Sequence, residues 1–151
     1  MSFEAKLKEM GYAVETRDLN AGKLMHAVRT GNLIYTSGQV SAWGDKAIKG
    51  KVGADVTIEQ GYEAAQLATL NCLSAIKTLA GGSLDNVVQI VKVFGMVNVA
   101  PNFDQTPDVI HGCSDMLLEL FGEAGKHARS AIGLTVPVNF AVEIEMIAEV
   151  K

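Results

Sequence analysis

The run VVQIVKVFGMVNV, residues 87–99, decides the fold. It is β-branched or apolar at positions of both parities, whereas a strand with one wet face would alternate. It therefore reads as a central strand covered on both faces. Gly95 interrupts it and marks either a bulge or a close approach by another backbone. Two strands are expected downstream, at residues 128–135 and, after a Pro137 turn, at 140–150.

The segments flanking this run read as helices. Thr57 followed by Gln60 is a capping-box pattern, in which each side chain satisfies an orphaned backbone N–H. Ile58, Tyr62, Ala65, Cys72, Ile76 and Leu79 then mark one apolar face, and Gly81-Gly82 ends it. A second helix opens with Thr106 as cap and Pro107 at its first position. Its core face is Val109, Ile110, Cys113, Met116, Leu117, Leu120 and Phe121, closed by Gly122. Further upstream, LMHAV (24–28) and LIYTSG (33–38) flank Thr30-Gly31-Asn32, which predicts a β-hairpin. Residues 41–55 are looser, with room for one short strand. Residues 2–11 carry Phe3, Leu7 and Met10 at helical spacing, with Glu4 and Lys8 as an i,i+4 pair. The pattern predicts one α+β domain over 1–151: a mixed β-sheet with two long helices on one face, extended by a short N-terminal helix over 2–11.

Composition narrows the function. The chain has 151 residues, 48% of them hydrophobic and 20% charged, and its 13 basic and 17 acidic side chains give a net charge of −4. No basic block exists to displace counterions, so a nucleic-acid partner is not expected. MSFEAKLKEMG lacks the features of a secretory signal, and no apolar run reaches the ~20 residues of a membrane span. A cytoplasmic protein without a membrane partner is the expectation. Cys72 and Cys113 fall in helical patterns and read as small buried hydrophobes. His26, His111 and His127 show no ligand spacing, so no metal is expected.

Two charged residues stand out. HARSAIG (127–133) threads Arg129 through a small, apolar strand, and AVEIE (141–145) does the same with Glu143. In the last strand Phe140, Val142, Ile144 and Met146 face the helices, and Ala141, Glu143, Glu145, Ile147 and Glu149 face away. With only two long helices, the far face of the sheet is uncovered, and a second copy of the chain is the simplest cover. If the final two strands pair, Arg129 lies beside the strand of Glu143. A structural ion pair and a ligand site are then both open, since a guanidinium fork suits either carboxylate. His127, two residues before Arg129, shares its strand face and could carry a proton.

GNLIYTSGQV (31–40), HARSAIG (127–133) and VEIEMIAEV (142–150), in this order around two helices, resemble the Rid/YjgF family over roughly residues 24–150. Some members of that family are labelled L-PSP endoribonucleases. The N-terminal helix and FGEAGKHARSA (121–131) resemble a longer branch. The resemblance implies a chorismate-mutase-like fold and a homotrimer with a barrel-like core and small-molecule clefts between neighbouring subunits. It implies hydrolysis of small enamine or imine acids to 2-oxo acids and ammonia, with no cofactor. By the same resemblance Arg129 grips the substrate carboxylate and Glu143 positions or activates water. Gly38 lines the cleft, Ser130 and Leu24 join the substrate-binding set, and His127 is available for proton transfer. So sparse a site suits an imine, whose carbon is already electrophilic.

The chain departs from the deaminase pattern at three places. Leu24 stands where a tyrosine is usual, Ala131 where a cysteine is frequent, and Ser114 or Asp115 near an expected asparagine. A non-catalytic carboxylate-binding or chaperone-like trimer is the alternative. An endoribonuclease comes third, disfavoured by the acidic balance and the lack of a catalytic histidine pair.

Overall fold

The computed structural model describes all of residues 1–151. Helix α1 (Phe3–Glu9) is followed by strands β1 (Ala27–Thr30), β2 (Leu33–Thr36) and β3 (Gln39–Val40). A small hairpin of β4 (Ala42–Trp43) and β5 (Lys46–Ala47) precedes α2 (Ile58–Leu79) and β6 (Val87–Asn98). Then come α3 (Thr106–Phe121), β7 (Ala128–Leu134) and β8 (Val142–Val150). The main sheet runs β1-β2-β8-β6-β7, with β3 also pairing to β8. Only β6–β7 is parallel, so the sheet is mixed and the fold is α+β, as the sequence pattern predicts.

The strand over 87–98 is interior, as read, but the pairing of the final two strands is corrected. The middle strand is β8, and β6 lies between β8 and β7. The last two strands therefore do not pair. The cause is the crossover: a helix carrying the chain from β6 back to the same end of the sheet makes β7 parallel to β6 on its free side. Arg129 is thus opposite Val93, whereas Glu143 is opposite Met96 across another ladder.

The apolar run of β6 is half covered within the chain. Ile90, Val93 and Val97 are buried under the helices, while Lys92, Phe94 and Met96 are only half-buried on the other face. The ladder slips between Val87 and Gln89 and between Ile90 and Lys92, so the bulges precede Gly95 rather than sit on it. Nor does another backbone close on Gly95; a side chain does, since a Cβ there would lie 2.6 Å from Ile110 Cγ1 of α3.

The local signals fare unevenly. The Thr57–Gln60 capping box forms in both directions, with hydrogen bonds of 2.9 and 3.1 Å. The β1–β2 hairpin turns at Gly31 with φ +56°. Thr106 is the first residue of α3 rather than its cap; Gln105 holds that place, and the Thr106 hydroxyl donates to Ala131 O at 2.9 Å. Glu4 does not pair with Lys8, because its carboxylate accepts from the backbone N–H of Leu84. That bond, with an edge-on contact of Phe3 and Phe121 at 4.8 Å between ring centroids, fastens α1 to the body. Segment 41–55 holds the β4–β5 hairpin in place of one short strand. Both cysteines are fully buried, as read, and burial pushes the Cys113 thiol up to about 12.

Candidate functional site

On β8, Val142, Ile144 and Met146 are buried toward the helices, and Glu143, Glu145 and Ile147 face the other way. Cross-strand partners share a face. Arg129, opposite buried Val93, therefore points to the helix side, and Glu143, opposite Met96, points to the outer side. One strand and three residues of register also separate them, which places their Cα atoms roughly 14 Å apart by strand spacing and rise. Neither takes part in an ion pair within the chain. A structural Arg129–Glu143 bridge inside one subunit is excluded.

Arg129 crosses from edge strand β7 to α3. Its Nη1 donates to His111 Nδ1 at 3.0 Å and to Ser114 Oγ at 3.1 Å. A guanidinium nitrogen has no lone pair to offer, so Nδ1 is the acceptor. Both hydrogens of Nη1 are used, while Nε and Nη2 have no partner in the chain. That free side is the fork that fits a carboxylate with two parallel hydrogen bonds. The Arg129 side chain lines an open cavity of about 310 Å³ with His111, Ser114, Asp115, Lys126 and His127 among others. The volume suits a small ligand.

His127 joins the same cluster, although it lies just before β7 rather than on the strand face of Arg129. Its Nδ1 lies 2.6 Å from Gly125 O and its Nε2 2.9 Å from Ser114 Oγ. Since a carbonyl can only accept, Nδ1 carries the hydrogen, and a bare Nε2 accepts the Ser114 hydroxyl. Burial pushes the imidazole below its ordinary value; the Arg129 charge adds to this, and the bond to Gly125 partly opposes it.

Gly38 and Glu143 form a second cluster. A Cβ at residue 38 would collide with the Glu143 carboxylate, so only glycine lets that side chain lie across the β3 approach. Partial burial, then the neighbouring Glu145 charge, raises the Glu143 carboxyl above its ordinary value. Ser130, opposite Phe94, is half-buried on this outer face. Leu24 joins neither cluster: it is 54% exposed in the loop before β1 and lines no cavity of the single chain. A larger cavity of about 510 Å³ between Tyr12, Trp43 and Tyr62 contains none of the predicted residues, and Lys46 already meets Glu63 there at 3.3 Å.

His111 is the member of the Arg129 cluster that sequence reasoning missed. Its signal was present: His111 and Ser114 are three apart on α3 and so share a helix face.

Residues 7–150 match the model of the family described as "YjgF/chorismate mutase-like, putative endoribonuclease". The chain belongs to this family. Two solved structures superpose with a TM-score of 0.91 over 99% of the chain. One is Atu1372 from Agrobacterium tumefaciens, of unknown function, 34% identical and covered over 94% of its length. The other is a "putative endoribonuclease" from Shewanella oneidensis, 32% identical and covered completely. The chain is also 32% identical over 150 residues to Protein TCP17 of Trypanosoma cruzi, covering 97% of this chain and 93% of that one.

Proposed function

We propose that this family member binds small carboxylic acids through Arg129 and hydrolyses their imines or enamines to 2-oxo acids and ammonia. The observation that carries this reading is the half-committed guanidinium. Nη1 is tied to His111 and Ser114, which fixes the plane of the group, and the Nε/Nη2 edge remains for a planar anion. No carboxylate of the same chain meets that edge.

Glu143 faces away from Arg129, so the two can serve one substrate only if they come from different subunits. Arg129 lies on an edge strand, and Glu143 on the sheet face that the chain leaves half open. Both positions favour a site completed by a neighbouring copy. Glu143, with its raised carboxyl pKa, is suited to take a proton from attacking water and return it.

The test generates an imino acid in situ with an amino-acid oxidase and follows its disappearance above the spontaneous reaction. Glu143→Gln should keep 2-oxo acid binding and lose about 10²–10⁴-fold in rate, because the amide holds water but accepts no proton. A wild type that binds 2-oxo acids yet never exceeds background would establish the carboxylate-binding alternative.

A further inference from the structure

The chain has one tryptophan and three tyrosines. The tryptophan, Trp43, and two of the tyrosines, Tyr12 and Tyr62, line a single cavity of about 510 Å³. Three separate segments bring them together: Tyr12 follows α1, Trp43 is on β4, and Tyr62 is early in α2. Tyr12 and Trp43 pack against the core, and the Tyr62 hydroxyl donates to Asp115 Oδ2 at 2.7 Å. The rings are therefore held in place without a ligand, which lowers the ordering cost of binding one. Buried Leu67 and Leu70 of α2 add an apolar floor.

The charges around these rings do not balance. Asp45 at the β4–β5 turn and Glu59 and Glu63 on α2 bring three carboxylates, against one cation, Lys46. Lys46 meets Glu63 at 3.3 Å, while Asp45 and Glu59 pair with no cation of the chain. Positive charge is thus favoured by two terms, the negative faces of the rings and the uncompensated carboxylates. The acids are dispersed around the rings, and no three of them are placed to hold a metal ion. A carboxylic acid of the kind assigned to Arg129 would be repelled here.

We infer that this cavity binds an organic ammonium ion with an apolar body. The cationic head lies among the rings near Asp45 and Glu59, and the body rests on Leu67 and Leu70. The volume is that of a small-molecule site. It shares no lining residue with the cavity beside Arg129, and one chain supplies all of it. Lys46 is the internal competitor: its ammonium already occupies one carboxylate of the cavity. That bridge is largely exposed, so a ligand displaces it at little cost.

Trp43, as the only tryptophan, reports binding through its own fluorescence. Three probes with one phenyl body separate the contributions of charge and shape: 2-phenylethylammonium, neutral 2-phenylethanol and anionic 3-phenylpropanoate. The ammonium should change the Trp43 emission saturably, the alcohol should bind about tenfold more weakly, and the anion should not bind. The trimethylated ammonium, which can donate no hydrogen bond, should bind at least as well as the primary one. Asp45→Asn with Glu59→Gln should weaken the ammonium about tenfold and leave the alcohol unchanged, and Lys46→Met should tighten it. These side chains are exposed, so their variants should fold, which a melting curve checks. Equal affinities for ammonium and alcohol would overturn the inference, as would charge variants without effect. So would a trimethylated probe that binds tenfold more weakly than the primary one, or an emission that never saturates with any ammonium.

Discussion

Arg29 and Arg129 show how the same side chain is committed in opposite ways. The Arg29 guanidinium donates from all three nitrogens, to Gly31 O, Leu79 O and Lys151 O, each at 2.9 Å. It ties the β1–β2 turn to the end of α2 and to the end of β8, with every nitrogen already engaged. Arg129 keeps one edge free. Arg129→Lys should therefore weaken 2-oxobutyrate binding by about 1.5–3 kcal/mol, roughly ten- to hundredfold, because an ammonium cannot form the paired contact. Arg29→Lys should lower thermal stability and leave that affinity unchanged. Calorimetry and a melting curve on both variants check the contrast, and equal affinity in wild type and Arg129→Lys would refute the clamp.

At the scale of elements, the unit β6–α3–β7 builds the site, and its tightest joints are glycines. A Cβ at Gly112 would run into the backbone carbonyl of Tyr62, with Ala65 Cβ 3.1 Å away, so α2 and α3 approach there at backbone contact. Gly112→Ala must push the helices apart. A cost of about 1–3 kcal/mol is expected for such overpacking, which at this size is roughly 2–10 °C of melting temperature. An unchanged melting curve would show that the helices are not held at that spacing. Much of this unit was legible in the sequence. The core face of α3 and, outside this unit, the Thr57 cap of α2 rest on local spacing, which a sequence states directly. Strand order did not follow from it. That Arg129 and Glu143 are in consecutive strands says nothing of β6 between them, since the crossover is set by packing of the whole sheet. The Thr106 hydroxyl was misread for a related reason: Ala131 O, 25 residues on, competes for it. Gln105 shows that a helix can start without a side-chain cap when tertiary contacts hold its first turn.

At the scale of the molecule, the helix side of the sheet is closed and the outer side is not. Val28, Tyr35 and Ile132 are 43–55% exposed, and Phe94, Met96 and Ile147 are half-buried beside them. This apolar stripe, crossed by Glu143 and Glu145, is the surface that a homotrimer would bury around a barrel-like centre. No helix of the chain is long and apolar enough to cross a membrane. Sedimentation equilibrium at low micromolar concentration should give three times the 16.0 kDa of one chain. A persistent monomer would remove the shared cleft and, with it, the joint action of Arg129 and Glu143. Binding and catalysis alike depend on the free edge of Arg129 acting as a carboxylate clamp. Crystals soaked in 2-oxobutyrate test it most directly. The acid should bind side-on to Nε and Nη2 of Arg129, with Nη1 still on His111 and Ser114. A carboxylate bound anywhere else, with that edge still bare, would contradict it.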